Sequence, residues 1–323
     1  YDFEGDRLWS RFHFGPTGDP VSAVAAGPSG VYILASVRQP HATEWRLRRY
    51  HRDGDLVWSQ PFDQGMTPAG LAVDASGVYV VGSDISPPRN SHRPQIESFA
   101  TKISAAGTQL WFDRFGATSG ANAISVDADG FTVVGTAFDG LWGNGSTGGT
   151  DAYVRRYSPT GQPLWTKQFG TAENDRGTAV VADATGVYAS GVTGNGDDTS
   201  FVRKFDLSGQ PVWHDRLSSQ LSRNVYAAIP AESGNGVVLA GAGGDLSGGP
   251  STSTDGFLRG YDADGDVAFT DVIGTDDADE VVGITSCDGD TFVAGTTSGA
   301  FPGYPTPHYD DAFVARVADL TVP

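Results

Sequence analysis

The sequence predicts an all-β fold: a six-bladed β-propeller of four-stranded antiparallel blades, with the last blade closed by the N-terminal strand. Three observations predict it. An aromatic preceded by an apolar residue recurs roughly every 50 residues, at Trp9, Trp58, Trp111, Trp165, Trp213 and Phe269. Each follows a Gly-bearing turn, in order "FEGD", "RDGD", "AAGT", "PTGQ", "LSGQ" and "ADGD". Finally, the opening "YDFEGDRLW" matches "YDADGDVAF" at Tyr261 to Phe269, so the chain begins inside a phrase that it repeats later.

The first blade, at about 20–62, carries small residues such as Ala23 and Ala25 in its first strand and Trp58 in its fourth. In the second, at about 67–116, "GLAVDASG" leads into "VYVVGS", and "ESFATKI" follows a variable loop before Trp111. The third, at about 120–170, reads "AISVDADG", "FTVVGT", "DAYVRRY" and Trp165. The fourth, at about 176–218, reads "AVVADATG", "VYASGV", "SFVRKF" and Trp213. The fifth, at about 223–274, has "DGFLRGY" and Phe269; the sixth, at about 279–320, has "DAFVARV" and takes residues 7–14 as its fourth strand. "DASG", "DADG" and "DATG" are tight turns between first and second strands, where Asp bonds its own backbone. Small first-strand residues, among them Ala23, Ala25, Gly70, Ala72, Ala123, Ser125 and Gly283, suit the crowded axis of a propeller. Sharing a blade between the termini removes an exposed sheet edge, so residues 1–323 are expected to form one complete domain.

"DAYVRRYSPTGQPLWTKQFGTAENDRGTAVVADATGVYASGVT" resembles the bacterial and archaeal propeller repeats called SBBP, and "GTTSGAFPGYPTPHYDDAFVARV" resembles the Phe-Pro loop of the same family. The resemblance covers essentially the whole chain. It departs in blade five, where Phe269 replaces Trp and Gly260 replaces a basic residue. It implies a propeller that is secreted or exposed at the cell surface, and it supplies no catalytic residues.

Composition narrows the partners. A net charge of −18 opposes binding to nucleic acid or anionic membranes, which attract Lys and Arg. No apolar run approaches the roughly 18 residues of a membrane-spanning helix, so no membrane insertion is expected. Cys287 is the sole cysteine, which rules out an intrachain disulfide and a cysteine metal cluster.

Loops joining second to third strands, and one blade to the next, are long and unlike one another, and all fall on one face. Binding residues favour such loops on a rigid scaffold. Within them His41, Arg89, His92, Arg93, Trp142, Tyr304, His308 and Tyr309 combine aromatic faces with polar donors, a mixture that suits a carbohydrate or another extracellular macromolecule. Trp142 stands among Gly143, Gly145, Gly148 and Gly149, which offer an indole little apolar cover. Packing of the loops themselves is the competing reading for each residue.

Carboxylates in the inter-blade loops include Asp175, Asp276, Asp277 and Asp279, which would offer Ca²⁺ hard oxygen ligands if they met across the mouth; otherwise they cap turns. Asp262, Asp264 and Asp266 have the spacing of a calcium loop, but Ile273 stands where a bidentate Glu is needed, and the phrase aligns with ordinary turns. An acid opens the third strand at Glu44, Glu97, Asp151, Asp255 and Asp311, and a base follows five residues on at Arg49, Lys102, Arg156 and Arg316. Such recurrence points to blade construction, as does the recurring Trp.

Common catalytic motifs are missing: no H-E-x-x-H, G-x-S-x-G, G-x-x-x-x-G-K or dinucleotide fingerprint is present. The expected function is therefore an extracellular or cell-surface recognition module. The alternatives are a polysaccharide lyase or hydrolase, with His41, His92 and His308 acting beside Arg93 or Tyr309, and a structural component of a surface layer or filament. His13, His51 and His214 fall on or beside outer strands and read as structural.

Overall fold

A computed structural model describes residues 9–10, 21–39, 42–85, 96–138, 140–141, 146–194, 199–217, 224–244, 254–287, 289–301, 303, 310–317, 320 and 322. Blade one comprises β1 (Val21–Gly27), β2 (Gly30–Gln39), β3 (Ala42–Tyr50) and β4 (Leu56–Pro61). Blade two comprises β5 (Met66–Asp74), β6 (Gly77–Asp84), β7 (Glu97–Ser104) and β8 (Gln109–Ala117). Blade three holds β9 (Ser119–Asp127), β10 (Gly130–Ala137), β11 (Asp151–Tyr157) and β12 (Pro163–Phe169). Blade four holds β13 (Asp175–Asp183), β14 (Gly186–Thr193), β15 (Thr199–Phe205) and β16 (Pro211–Arg216). Blade five has β17 (Asn224–Pro230), β18 (Gly236–Ala242), β19 (Gly256–Asp262) and β20 (Val267–Ile273), and blade six has β21 (Asp279–Cys287), β22 (Asp290–Thr297) and β23 (Asp311–Val317).

Each set forms its own antiparallel sheet with strands in sequence order, and no α-helix occurs among the described residues. The molecule is a six-bladed β-propeller. Among the described residues the sixth sheet has three strands; the expected fourth, residues 7–14, lies outside them except for Trp9 and Ser10.

Burial explains the patterning of the strands. Middle strands such as β10 and β14 are buried along their whole length, so they read as continuous runs of Val, Tyr, Ala and Gly rather than as alternating phrases. Fourth strands present exposed apolar side chains such as Leu56, Leu110, Leu164 and Val212, as do first strand β1 at Val24 and third strand β23 at Val314. The "DASG" and "DATG" turns are tied by their Asp as the sequence predicts: Asp74 Oδ1 accepts from the Ser76 and Gly77 amides at 2.8 and 2.9 Å, and Asp183 Oδ1 from Thr185 and Gly186 at 2.7 and 3.0 Å.

The chain divides into two compact units, residues 1–126 with 140–144 and residues 127–139 with 145–323. In the first, Tyr32, Leu47, Met66, Val78 and Phe99 join the two blades in one apolar cluster. A Cβ added to Gly27 would lie 2.7 Å from Val73, and one on Gly70 3.2 Å from the Ala123 backbone, so small first-strand residues let these strands approach. The Trp58 indole donates to the Ala105 carbonyl at 3.0 Å, in the third turn of the following blade, and Trp9 donates to Arg52 at 2.7 Å in the matching turn of blade one. Trp9 thus stands to blade one as Trp58 stands to blade two.

The second unit repeats the device. Trp165 donates to Leu207 at 3.0 Å and Trp213 to Ala263 at 2.9 Å. The turn glycine beneath each indole is doubly required: Gly209 and Gly265 have φ of +84° and +93°, and an added Cβ would come within 2.7 Å of Trp165 or 2.8 Å of Trp213. Blade-turn-Gly and aromatic therefore recur together because one lies on the other.

Blade five departs from the repeat for a visible reason. Phe269 packs against a buried cluster containing Leu320 and Val322, and a Cβ on Gly260 would lie 2.3 Å from Phe269 and 2.9 Å from Val322. Phe269 and Val322 occupy the place in which a basic side chain would stand. Phe, with no N–H to place, suits an apolar neighbour there.

Candidate functional site

The two edges of each sheet differ. First and second strands are joined by two residues in every blade but the fifth, where residues 231–235 intervene. Second and third strands are joined across 85–96, 138–150, 243–255 and 298–310 in blades two, three, five and six, across 194–198 in blade four, and across only 40–41 in blade one, where the sequence predicts a long loop. Ends of second and fourth strands and starts of first and third strands therefore share the edge that carries the long connections. His41, Arg89, His92, Arg93, Trp142, Tyr304, His308 and Tyr309 all lie outside the described residues.

The acidic residues are described, and the structure does not gather them at one mouth. No group of three or more His, Cys, Asp or Glu side chains arranged to hold a metal occurs among the described residues. Asp175 is buried, and its Oδ2 accepts from the amide and hydroxyl of Thr171 at 2.7 and 3.1 Å; its carboxylate neighbour is the buried Asp151, across Gly170. Asp279 repeats this arrangement with Thr275 at 2.6 and 2.9 Å and faces Asp255 across Gly274. Asp276 and Asp277 are exposed, and the Asp277 amide donates to the Thr275 hydroxyl at 3.2 Å. These carboxylates chiefly stitch the entry to a blade's first strand. Asp262 Oδ1 accepts the Asp264 and Asp266 amides, each at 2.9 Å, so that D-x-D-x-D phrase closes its own turn.

The recurrent base of the third strand also proves to be construction. Lys102 Nζ donates to Asp74 at 3.0 Å, and Arg156 Nη2 to Asp127 at 2.8 Å, each gripping the first turn of its own blade. Arg49 instead donates to the Ser29 and Ala105 carbonyls at 2.8 and 2.7 Å, and Lys204 to Ala263 at 2.8 Å. The acid that opens the strand is not its partner in these cases.

Each unit contains a cleft between adjacent blades. That of the first unit, about 330 Å³, runs beside Phe62, Met66 and Phe112; its Arg114 lies over the Phe112 ring and forms an ion pair with the buried Asp84. That of the second unit, about 250 Å³, lies at the long-connection edge, against the end of β12 and the starts of β13 and β15. Phe169 and Phe201 form its apolar walls, edge to face with centroids 5.6 Å apart, and Arg203, His214 and Arg216 line it with Asp175. The Arg203 guanidinium sits 4.6 Å from the Phe169 ring centre. Burial lowers its pKa, while Asp175 opposes the shift. None of these three bases was singled out as a ligand group by the sequence, which placed His214 among structural residues.

Comparison with known proteins agrees with the fold. No family model matches the chain. It is 25% identical over 218 residues to the regulatory protein FlaEY of Caulobacter vibrioides, covering 57% of this chain and 23% of that protein, so the chain spans under a quarter of that relative's length. The β-propeller domain of the trilobed protease of Pyrococcus furiosus, which has an open velcro topology, superposes with a TM-score of 0.51 at 9% identity, over 92% of this chain and 82% of that one. The Pyrococcus horikoshii acylaminoacyl peptidase gives 0.52 at 9% identity over 93% and 45%, and the periplasmic gluconolactonase PpgL of Pseudomonas aeruginosa gives 0.50 at 14% identity over 77% and 69%. At these identities the likeness is one of fold alone.

Proposed function

We propose that the chain is a recognition module of the cell surface or extracellular space, binding a carbohydrate or similar polymer through the edge that carries the long connections. The observation that supports this reading most directly is the cleft of the second unit, which opens at that edge and is walled by Phe169 and Phe201 with polar donors around them. Concave sites with apolar walls and a few convergent polar groups are the usual form of ligand pockets. The likeness to SBBP repeats supports the same location. The relative from Caulobacter vibrioides bears the name of a regulatory protein rather than of an enzyme. A glycan array combined with product analysis tests the proposal: saturable binding with no new reducing or unsaturated ends is expected, whereas product formation would establish an enzyme.

A further inference from the structure

Resting on that reading of the loop edge, we infer that the blade-four cleft binds an oxyanion, the carboxylate or sulfate of an acidic sugar residue, through Arg203, Arg216 and His214. Comparison of the blades carries the inference. In blade three Arg155 donates to the Tyr157 hydroxyl at 2.7 Å and to the cross-strand Thr166 hydroxyl at 2.7 Å. In blade five Arg259 does the same with Tyr261 at 2.9 Å and Thr270 at 2.7 Å. Arg203 holds the corresponding position, but the residue two further on is Phe205 and the cross-strand partner is His214. Both hydroxyls that fix the guanidinium in blades three and five are gone.

A second basic residue has changed partner in the same way. Arg114 of blade two stands opposite Phe99 and is neutralised by Asp84. Arg216 stands opposite Phe201, and the position matching Asp84 is Thr193; the Arg216 contact is a 3.3 Å hydrogen bond to the Thr199 hydroxyl. Residues directly opposite in an antiparallel pair point to one face, so Phe201, Arg203, His214 and Arg216 share the face that lines the cleft. Arg203 and His214 stand directly opposite and Arg216 is two residues further along the same strand as His214, so their donors converge on that face.

Asp175 supplies one compensating charge, but its Oδ2 is already engaged by Thr171, and it acts on Arg203 at longer range. The buried Asp151 lies beside Asp175 across Gly170 and is likewise taken up, by Thr147 and Gln168, so the two guanidiniums and the imidazole leave the cleft lining rich in donors within a chain of net charge −18. Guanidinium forks match carboxylate and sulfate oxygens. A volume of about 250 Å³ admits a single ring, which the Phe201 face and the Thr171 and Thr193 hydroxyls would accommodate.

Calorimetric titration of the whole chain with a uronate oligosaccharide, a sulfated oligosaccharide and a neutral one of equal length tests this. Binding of the uronate or the sulfated probe, whichever source the cleft prefers, is expected, with weaker binding of the neutral probe and a loss of about 10- to 100-fold in Arg203→Gln. The double variant Phe205→Tyr with His214→Thr keeps the Arg203 charge while restoring both hydroxyl partners, so it should weaken the acidic probe and raise the melting temperature. Equal binding of the neutral probe, unchanged in Arg203→Gln, would overturn the oxyanion site and leave the loop-edge reading standing. No binding of either acidic probe, with variants melting as the parent does, would overturn it as well.

Discussion

Asp74 shows how one residue holds a blade together. Burial raises its carboxyl, but hydrogen bonds from Ser76, Tyr79 and Lys102 outweigh that and hold it well below the usual carboxylate range. Burial, reinforced by the Asp74 carboxylate, pushes the Tyr79 phenol above its ordinary value. Because the folded-state pKa of Asp74 is depressed, its contribution is complete above the unfolded pKa and is lost as pH falls through the acid range toward the folded value. Asp74→Asn should cost about 2–3 kcal/mol near neutrality and flatten the acid limb of a stability–pH profile measured by denaturant titration. At this scale the sequence was legible where residues recur: turn aspartates and third-strand bases announced themselves as construction. Arg203 was not legible by recurrence, because its signal is a loss, Tyr157 and Tyr261 becoming Phe205 and Thr166 and Thr270 becoming His214. Only the strand register reveals what those losses leave behind.

Among elements, the blades were readable because a turn glycine and the indole resting on it impose a phrase that survives divergence. Blade five broke the phrase, and the reason lies far along the chain, in Leu320 and Val322, whose contact with Phe269 no local pattern encodes. Val322 is nearly buried, so Val322→Ala should destabilise the second unit by about 1–2 kcal/mol. Gly260→Arg, which restores the base found in other blades, should cost more, since its Cβ alone meets Phe269 and Val322. Thermal melts of both variants check this; a neutral Gly260→Arg would contradict the packing. The expected meeting of Asp175 with Asp276, Asp277 and Asp279 did not form for a related reason. Loop sequences do not state which loops adjoin, and in both Asp175 and Asp279 one carboxylate oxygen is taken up by a Thr four residues before it.

For the molecule as a whole, the alternation of two-residue turns with long connections was visible in the sequence and is what orients the account. Short turns repeat in five of the six blades because blade construction sets them, and the connections at the other edge, from two residues in blade one to thirteen in blade three, diverge because it does not. The measurement that tests this most directly is the affinity of a glycan-array ligand for two variants of the intact chain, one at each edge. Trp142→Ala removes an indole from a long connection, and Asp129→Ala alters an exposed two-residue turn whose backbone is held by Asp127. Loss of a stacked indole typically costs about 1–3 kcal/mol, so Trp142→Ala should weaken binding roughly 5- to 150-fold while melting like the parent, with Asp129→Ala unchanged. Abolished binding in Asp129→Ala beside full affinity in Trp142→Ala would put the working face at the opposite edge.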